Sequence, residues 1–431
     1  MDKKIITLAL AGFGTVATGL ARIIQENSPW IERRTGKKLV IKKVLVRDLS
    51  KSRTFIPGPE TVFTDNLQDL LQDPDIDIVA ELMGGIETAG LLIRKSLENG
   101  KHVVTANKAL LAEQGCDLFS LAHEKNLGLY YEASVAGGIP IVQTLKDSLA
   151  GNRITSITGI LNGTANFILS EMTSRGLDFA TALKAAQEMG YAEADPTLDI
   201  EGMDAAHKLI ILIRLAHGVN FPLSRLPVQG ISEVDAADII LAAESGHVLK
   251  LIAQVREKSG HIQAGVFPAL LPKDHILAKV DGPFNSILLK GNAVGPIMLY
   301  GQGAGDLPTG SAVLADIMAL ARDSARVDNT GFREKILPEA DILEPDLAVS
   351  RHYFRMTALD KPGVLSAVSG VMGEHNISIA QAVQKPSRQG RDVPIVFLTH
   401  SAQLKAVYHA LKVIDEFDFI TAPSVHYRIL K

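Results

Sequence analysis

ALAGFGTVATGLA, residues Ala9–Ala21, sets Gly12, Gly14 and Ala17 in G-x-G-x-x-A spacing between an apolar run and a helix-patterned one. Strand, small-residue turn and helix in that order suit a dinucleotide pyrophosphate. Gly12 permits the tight turn, Gly14 lets the backbone approach the phosphates, and unpaired N–H groups at the helix start face them. The alternation continues downstream: KLVIKKVLVR, IDIVAELMG, KHVVTANK and LGLYYEASV read as strands, with helix-patterned segments between them. Apolar strands separated by helices imply an α/β class with a parallel, Rossmann-type sheet covered on both faces, assigned here to residues 1–137.

From 138 to 322 the pattern changes to longer helices followed by strands such as LKLIAQV and GVFPALL, which reads as an α+β substrate and dimerisation domain. Its last helix, near PTGSAVLADIMALARD, is expected to pack back on the nucleotide domain. Residues 323–349 lack periodicity, are rich in proline and acids, and read as a linker. Residues 350–431 follow the order strand, helix, strand, strand, helix, strand, a ferredoxin-like βαββαβ unit.

The 431 residues suffice for two or three domains, each with its own core. A net charge of −4 without a polybasic run argues against nucleic acid or an anionic membrane as partner. A single cysteine, Cys116, excludes an internal disulfide framework and suits a reducing, cytoplasmic location. Lysines before the first apolar run imitate a signal peptide, but that run is short and stopped by glycines, and no stretch nears the roughly 18 apolar residues of a membrane span.

Cofactor choice is expected at the end of the second strand, VLVRDLSKSR. A carboxylate there suits the ribose hydroxyl of NAD, and a basic residue the 2′-phosphate of NADP. Arg47 favours NADP; Asp48 beside it keeps NAD open, and Lys51 and Arg53 read equally well as a solvated turn.

A second stretch, GYAEADPTLDIEGMDAAHK (Gly190–Lys208), crowds Glu193, Asp195, Asp199, Glu201 and Asp204 before a nearly all-apolar helix, LIILIRLAHG. Asp204 and Lys208 are four apart and share one helix face. A lysine entering a buried helix tends to lose its proton, and adjacent carboxylates are expected to hold it charged. Such a lysine in a partly dry pocket is able to donate a proton to a developing alkoxide. The plainer alternative is an ordinary helix ion pair. Lys108, in TANKALL after a parallel strand, stands where ligands collect at strand carboxyl ends, or is an exposed lysine at a helix start.

On these residues the chain resembles the homoserine dehydrogenase family, in its monofunctional bacterial form with a C-terminal ACT domain. Ala186-x-x-x-Gly190-Tyr191-Ala192 followed by Asp195-Pro196-x-x-Asp199-Ile200-x-Gly202-x-Asp204-x-x-x-Lys208 looks like the family signature, and TANKALLA and YEASVAGGIP are similar to family blocks. The resemblance implies reversible NAD(P)H-dependent reduction of L-aspartate 4-semialdehyde to L-homoserine, in threonine, methionine and isoleucine biosynthesis. It implies Lys208 as proton donor, Asp204 orienting it and touching substrate, and Lys108 at the nicotinamide and substrate. Glu193 with the backbone near Gly190 would bind the substrate amino group, with Asp199 in support. Phe13, Thr15, Val16 and Gly305 would join Gly12 and Gly14 at the cofactor, along with Gly190. It further implies a sodium-type cation held by Glu132 and the backbone of Val135, Gly137 and Ile139, and a homodimer or homotetramer.

The C-terminal unit resembles an ACT domain. Asp360 and Gly363 lead into its first helix, whose free N–H groups suit an amino-acid carboxylate, and Asn376 lies on the following turn. L-threonine is the ligand the resemblance implies; an ACT unit serving only dimerisation is the other reading. Aspartate-semialdehyde dehydrogenase chemistry needs a nucleophilic cysteine, and Cys116 sits in a helix-patterned run without a signature. A hydroxy-acid dehydrogenase would call for a histidine with a carboxylate partner, which His207 does not serve. The alternative from another class is a nucleotide- and amino-acid-sensing binding protein without catalysis.

Overall fold

The computed structural model describes residues 3–53, 55–322, 329–384 and 392–430. The first apolar run becomes β1 (Ile5–Ala11). It joins β2 (Lys38–Leu45), β3 (Val62–Thr64), β4 (Ile78–Glu81), β5 (His102–Thr105) and β6 (Leu129–Tyr130) in a parallel sheet of order β3-β2-β1-β4-β5-β6. The twofold alternation of a strand divides β1 between two cores. Leu8 and Leu10 enter one with Leu20 and Ile24, while Ala9 and Ala11 face Leu70, Leu71 and Leu92. Strand order reverses between β1 and β4, which opens a crevice at their carboxyl ends.

The Leu8–Leu10 face is completed by a distant segment, the helix Asp306–Arg322, which contributes Val313, Ile317 and Leu320. It crosses the helix Thr15–Glu26 at two glycines. A Cβ on Gly19 would stand 2.2 Å from the Asp306 carbonyl oxygen, and one on Gly310 would stand 2.6 Å from the Leu20 nitrogen. Only glycine permits backbones so close.

A second, ten-stranded mixed sheet begins with β7 (Ile154–Ile160), β8 (His247–Lys258), β9 (His261–Pro272), β10 (Phe284–Gly291) and β11 (Gly295–Gln302), paired antiparallel. Its helices include Gly163–Arg175 and the buried Met203–His217. The latter packs against the helix Lys108–Glu124 of the first domain, Leu209, Ile210 and Ile213 sharing a core with Leu110, Leu118 and Phe119. Buried Arg214 fastens the pair, donating to the Leu111 carbonyl at 3.1 Å and lying over the Phe119 ring.

The C-terminal unit contains β12 (Val349–Leu359), β13 (Ile379–Gln384), β14 (Asp392–Thr399), the two-residue β15 (Ala402–Gln403) and β16 (Ile420–Ile429), with helices Val364–Glu374 and Leu404–Asp415. The order β16-β12-β14-β13 is ferredoxin-like. Its sheet is not separate: β16 pairs parallel with β9, Arg428 and Ile429 opposite Ala269 and Leu270. Across the same junction Arg355 grips buried Asp238 with two bonds, Nε to Oδ1 at 2.5 Å and Nη2 to Oδ2 at 2.9 Å.

The presumed linker is also packed down. Residues 323–328 of it lie outside the described residues. Ile262 donates to the Asp341 carbonyl at 2.7 Å, Asn220 to that of Pro338 at 2.7 Å, and Ala340 to that of Asn220 at 2.8 Å. Aperiodic sequence therefore does not mean a loose tether here, because its backbone groups find partners on the second domain.

His352, fully buried, meets His426 through Nδ1 and Nε2 at 2.9 Å. Burial pushes His352 down to about 4, against a bond to the Ala402 carbonyl that favours the proton. Burial, then His352, holds His426 well below its ordinary value. Both folded values lie below the unfolded one of about 6.5, so the unfolded chain takes up protons that the folded chain refuses. Stability is therefore full above that value and falls as pH drops below it, by up to about 1.4 kcal/mol per pH unit for each proton. Denaturation midpoints measured from neutral to mildly acid pH are expected to fall, and the slope is expected to flatten in His352→Phe.

Candidate active site

The helix Met203–His217 starts at Gly202, whose φ of +84° turns the chain sharply into its first turn. Asp204 and Lys208 are both buried there, Lys208 Nζ standing 2.7 Å from Asp204 Oδ2. Lys208 Nζ also donates to the Leu161 carbonyl at 2.7 Å. The other oxygen of Asp204 faces the first domain, where Lys108 Nζ lies 2.9 Å from Oδ1. Lys108 opens its helix just beyond β5, with Asn107 as cap, its side-chain oxygen accepting from the Leu110 N–H at 3.1 Å. One carboxylate thus separates two ammonium groups, one buried and one partly open to the domain junction.

The two lysines differ because their burial differs. Asp204 raises Lys108 above its ordinary value, more than burial lowers it. For Lys208, burial outweighs the pull of Asp204 and lowers it. Burial of Asp204 is in turn outweighed by Lys208 and Lys108, which hold its carboxyl well below the usual range. Burial and then Asp204 push half-buried Asp199 up. A firmly charged Lys108 thus stands beside a Lys208 with a weakened hold on its proton.

At the nucleotide crevice Gly12 has φ +93°, and a Cβ there would stand 2.7 Å from the Leu82 carbonyl oxygen. Gly14 precedes the helix Thr15–Glu26 and has nothing within 4 Å of where a Cβ would be, leaving the space a pyrophosphate needs. Phe13 and Val16 pack on the first core, and Phe13 meets Phe63 edge-on. Arg47 is exposed after β2. The Asp48 carboxylate is engaged, accepting from the Ser50 N–H at 2.8 Å and hydroxyl at 2.6 Å. Gly305, with φ +131°, lies immediately before the helix Asp306–Arg322.

A family model described as homoserine dehydrogenase matches residues 140–318, one described as its NAD binding domain matches 12–132, and an ACT domain model matches 352–416. A homoserine dehydrogenase of Neisseria gonorrhoeae is 42% identical over 431 residues, covering 99% of each chain. The chain belongs to the homoserine dehydrogenase family. It is accordingly an oxidoreductase with an NAD-binding domain and a C-terminal ACT domain. The crystal structure of a homoserine dehydrogenase from Thiobacillus denitrificans, 40% identical, superposes with a TM-score of 0.94 over 100% of this chain and 99% of that one. A hyperthermophilic archaeal homoserine dehydrogenase in complex with NADPH, 29% identical, gives 0.63 over 76% and 99%.

Within this homoserine dehydrogenase fold the remaining residues of the signature sort unequally. Gly190 (φ +74°) and exposed Glu193 lie in a loop tied down where the Thr164 hydroxyl donates to the Tyr191 carbonyl at 2.6 Å, and the Glu193 charge adds to the pull that keeps Lys108 protonated. Asp195 accepts from the Thr197 N–H and hydroxyl, a local turn just ahead of the short helix Thr197–Ile200; Glu201 is exposed. Asn162 and the Leu161 carbonyl, absent from the sequence reading, touch Asp199, Asp204 and Lys208 directly. Their signal was an Asn directly after a strand and before a helix, an N-cap pattern.

Glu132 is buried, its two carboxylate oxygens accepting the Val142 N–H at 2.8 Å and the Gln143 N–H at 2.7 Å. Its own N–H donates to Asp316, which burial and Glu132 push up to about 8. Ala136 and Gly137 both take left-handed backbone between Val135 and Ile139. Two buried carboxyl groups beside a sharply bent backbone fit a hard monovalent cation. In the ACT unit, Asp360 accepts from the Gln384 amide at 3.2 Å. Gly363 and Asn376 bracket the 11-residue helix Val364–Glu374, about 16 Å long, so one chain does not bring them into a single pocket.

Proposed function

We propose that the chain interconverts L-homoserine and L-aspartate 4-semialdehyde, with Lys208 carrying the proton. The observation that carries this is Asp204 held between Lys108 and Lys208 at the junction of the nucleotide and second domains. The dinucleotide, when bound, takes up or supplies the hydride. In the oxidation direction the carbinol C–H leaves as hydride and the hydroxyl proton passes to Lys208 Nζ; in reduction Lys208 returns it to the developing alkoxide. Lowered basicity suits both steps, since an amine with a weakened hold on its proton gives it up and takes it back more readily. Lys108, held charged, would stabilise the oxyanion at the nicotinamide. Glu193, with the Gly190 backbone, would bind the substrate ammonium, and Asp199 would support the cluster.

Gly12, Phe13, Gly14, Thr15, Val16, Gly190 and Gly305 would line the cofactor. With Asp48 engaged by Ser50 and Arg47 exposed, NADP is the favoured dinucleotide, in keeping with the NADPH bound by the archaeal relative. Glu132 and the carbonyls of Val135, Gly137 and Ile139 would hold a monovalent cation with a structural role. The ACT unit would take an amino-acid effector, L-threonine by resemblance, between two copies in a homodimer or homotetramer. The activity would serve threonine, methionine and isoleucine biosynthesis.

The test is absorbance at the reduced-nicotinamide band with L-homoserine and each dinucleotide. Turnover is expected with a preference for NADP, and Arg47→Ala is expected to raise the KM for NADP about tenfold while leaving that for NAD unchanged, the loss of one exposed charged hydrogen bond. Binding of both ligands without turnover would return the chain to the sensor reading.

A further inference from the structure

We infer that Asn162, with the Leu161 carbonyl beside it, positions the Lys208–Asp204 pair, so that the junction between β7 and the helix Gly163–Arg175 aims the proton-transferring amine. The inference rests on Lys208 being the proton carrier.

Asn162 is buried, and all of its side chain's obvious bonding capacity is engaged. Oδ1 accepts from the Ala165 N–H at 2.7 Å, capping the helix. Nδ2 donates to Asp199 Oδ1 at 2.6 Å and to Asp204 Oδ2 at 2.8 Å. The reverse amide orientation would point an oxygen at two carboxylates and an N–H at a backbone N–H, so the bonding fixes the assignment. One amide thereby holds together two acidic groups that repel each other, and stops the Asp204 carboxylate from turning towards Lys108 alone.

Leu161 fixes the amine from the other side. Its carbonyl accepts from Lys208 Nζ at 2.7 Å and from Asn285 Nδ2 at 2.9 Å. An ammonium has three N–H groups. With one on Asp204 and one on Leu161, the direction of the third is set, and it is the one available to a substrate oxygen. The backbone supplying both contacts is itself locked: a Cβ on Gly163 would stand 2.6 Å from the Pro283 carbonyl oxygen, so the chain approaches that strand lead-in with no room for a side chain.

Asn162 has two separable duties, helix cap and carboxylate donor. Asn162→Ser keeps an oxygen for the Ala165 N–H but has no donor pair for Asp199 and Asp204; Asn162→Ala loses both; Asn162→Asp keeps the cap and the volume and removes the donors. The measurements are kcat and KM for L-homoserine oxidation at saturating dinucleotide from about pH 6 to 10, with thermal midpoints, alongside Lys208→Ala. Asn162→Ser is expected to keep a near-wild-type midpoint and dinucleotide KM, with kcat lowered at least about tenfold. The acid limb of kcat is expected to move to lower pH, because carboxylates without the shared donor take protons more readily and release their hold on the amine. Asn162→Asp, which adds a third acid near the amine, should move that limb the opposite way, to higher pH, and serves if the serine variant does not fold. A kcat within about twofold of wild type and an unmoved pH profile in Ser and Asp, with stability lost only in Ala, would reduce Asn162 to a helix cap and overturn the inference. Wild-type turnover in Lys208→Ala would instead sink the reading on which it rests, and is distinguished by leaving Asn162 no amine to aim.

Discussion

Lys208→Ala is expected to lower kcat for L-homoserine oxidation by about 10²–10⁴-fold, the range of a lost general acid or base. The fold should survive. Asp204 keeps Lys108 on Oδ1 and the Asn162 amide on Oδ2, so removing the buried ammonium does not strand a buried carboxylate. Dinucleotide affinity, read by fluorescence titration, is expected to stay unchanged. The rise of kcat with pH, which the amine's loss of its proton sets, is expected to disappear. Full activity in this variant would hand the proton to Lys108. That outcome would be hard to reconcile with the opposite directions in which the two lysines are shifted.

Asp204→Asn is expected to damage both stability and activity. It leaves buried Lys208 beside a neutral amide, and breaking a buried ion pair from one side costs about 3–5 kcal/mol. The cost is read as a lower midpoint in chemical denaturation. With the carboxylate gone, only Asp199 opposes burial and Lys208 sheds its proton more readily, while Lys108 loses the partner that dominates its shift. kcat is expected to fall by at least about 10²-fold, and KM for homoserine to rise, since ordered charge at the oxyanion is lost as well. Asp204→Glu, which keeps the charge but moves it, should recover stability better than activity. A variant as stable and active as wild type would show that the carboxylate is an ordinary helix ion pair, the plainer reading of its spacing.

Much of this was legible locally. The strand–turn–helix at Gly12 and Gly14 announced the parallel sheet, because twofold and helical periodicities and a small-residue turn are properties of short segments. The spacing of Asp204 and Lys208 placed both on one helix face for the same reason. Two readings needed the surroundings. The direction of the Lys208 shift depends on how deeply the amine is buried, and an aperiodic 323–349 gave no sign that its described part lies hydrogen-bonded along the second domain.

Asn162 shows the same divide at a single residue. Its cap on Ala165 is local and follows from an asparagine before a helix. Its bonds to Asp199 and Asp204 join segments far apart in the chain. In the same way, the sequence by itself determined which elements form and which residues share a face, since dihedral preference and periodicity act over a few residues. Only the tertiary structure decided that Lys108 of one domain meets Asp204 of another, that β16 extends the second domain's sheet through β9, and which side chains of the helix Asp306–Arg322, expected from the sequence to pack back on the nucleotide domain, complete that domain's core. Those contacts are chosen by burial and by close approach of backbones at Gly19 and Gly310, quantities that exist only once the chain is packed.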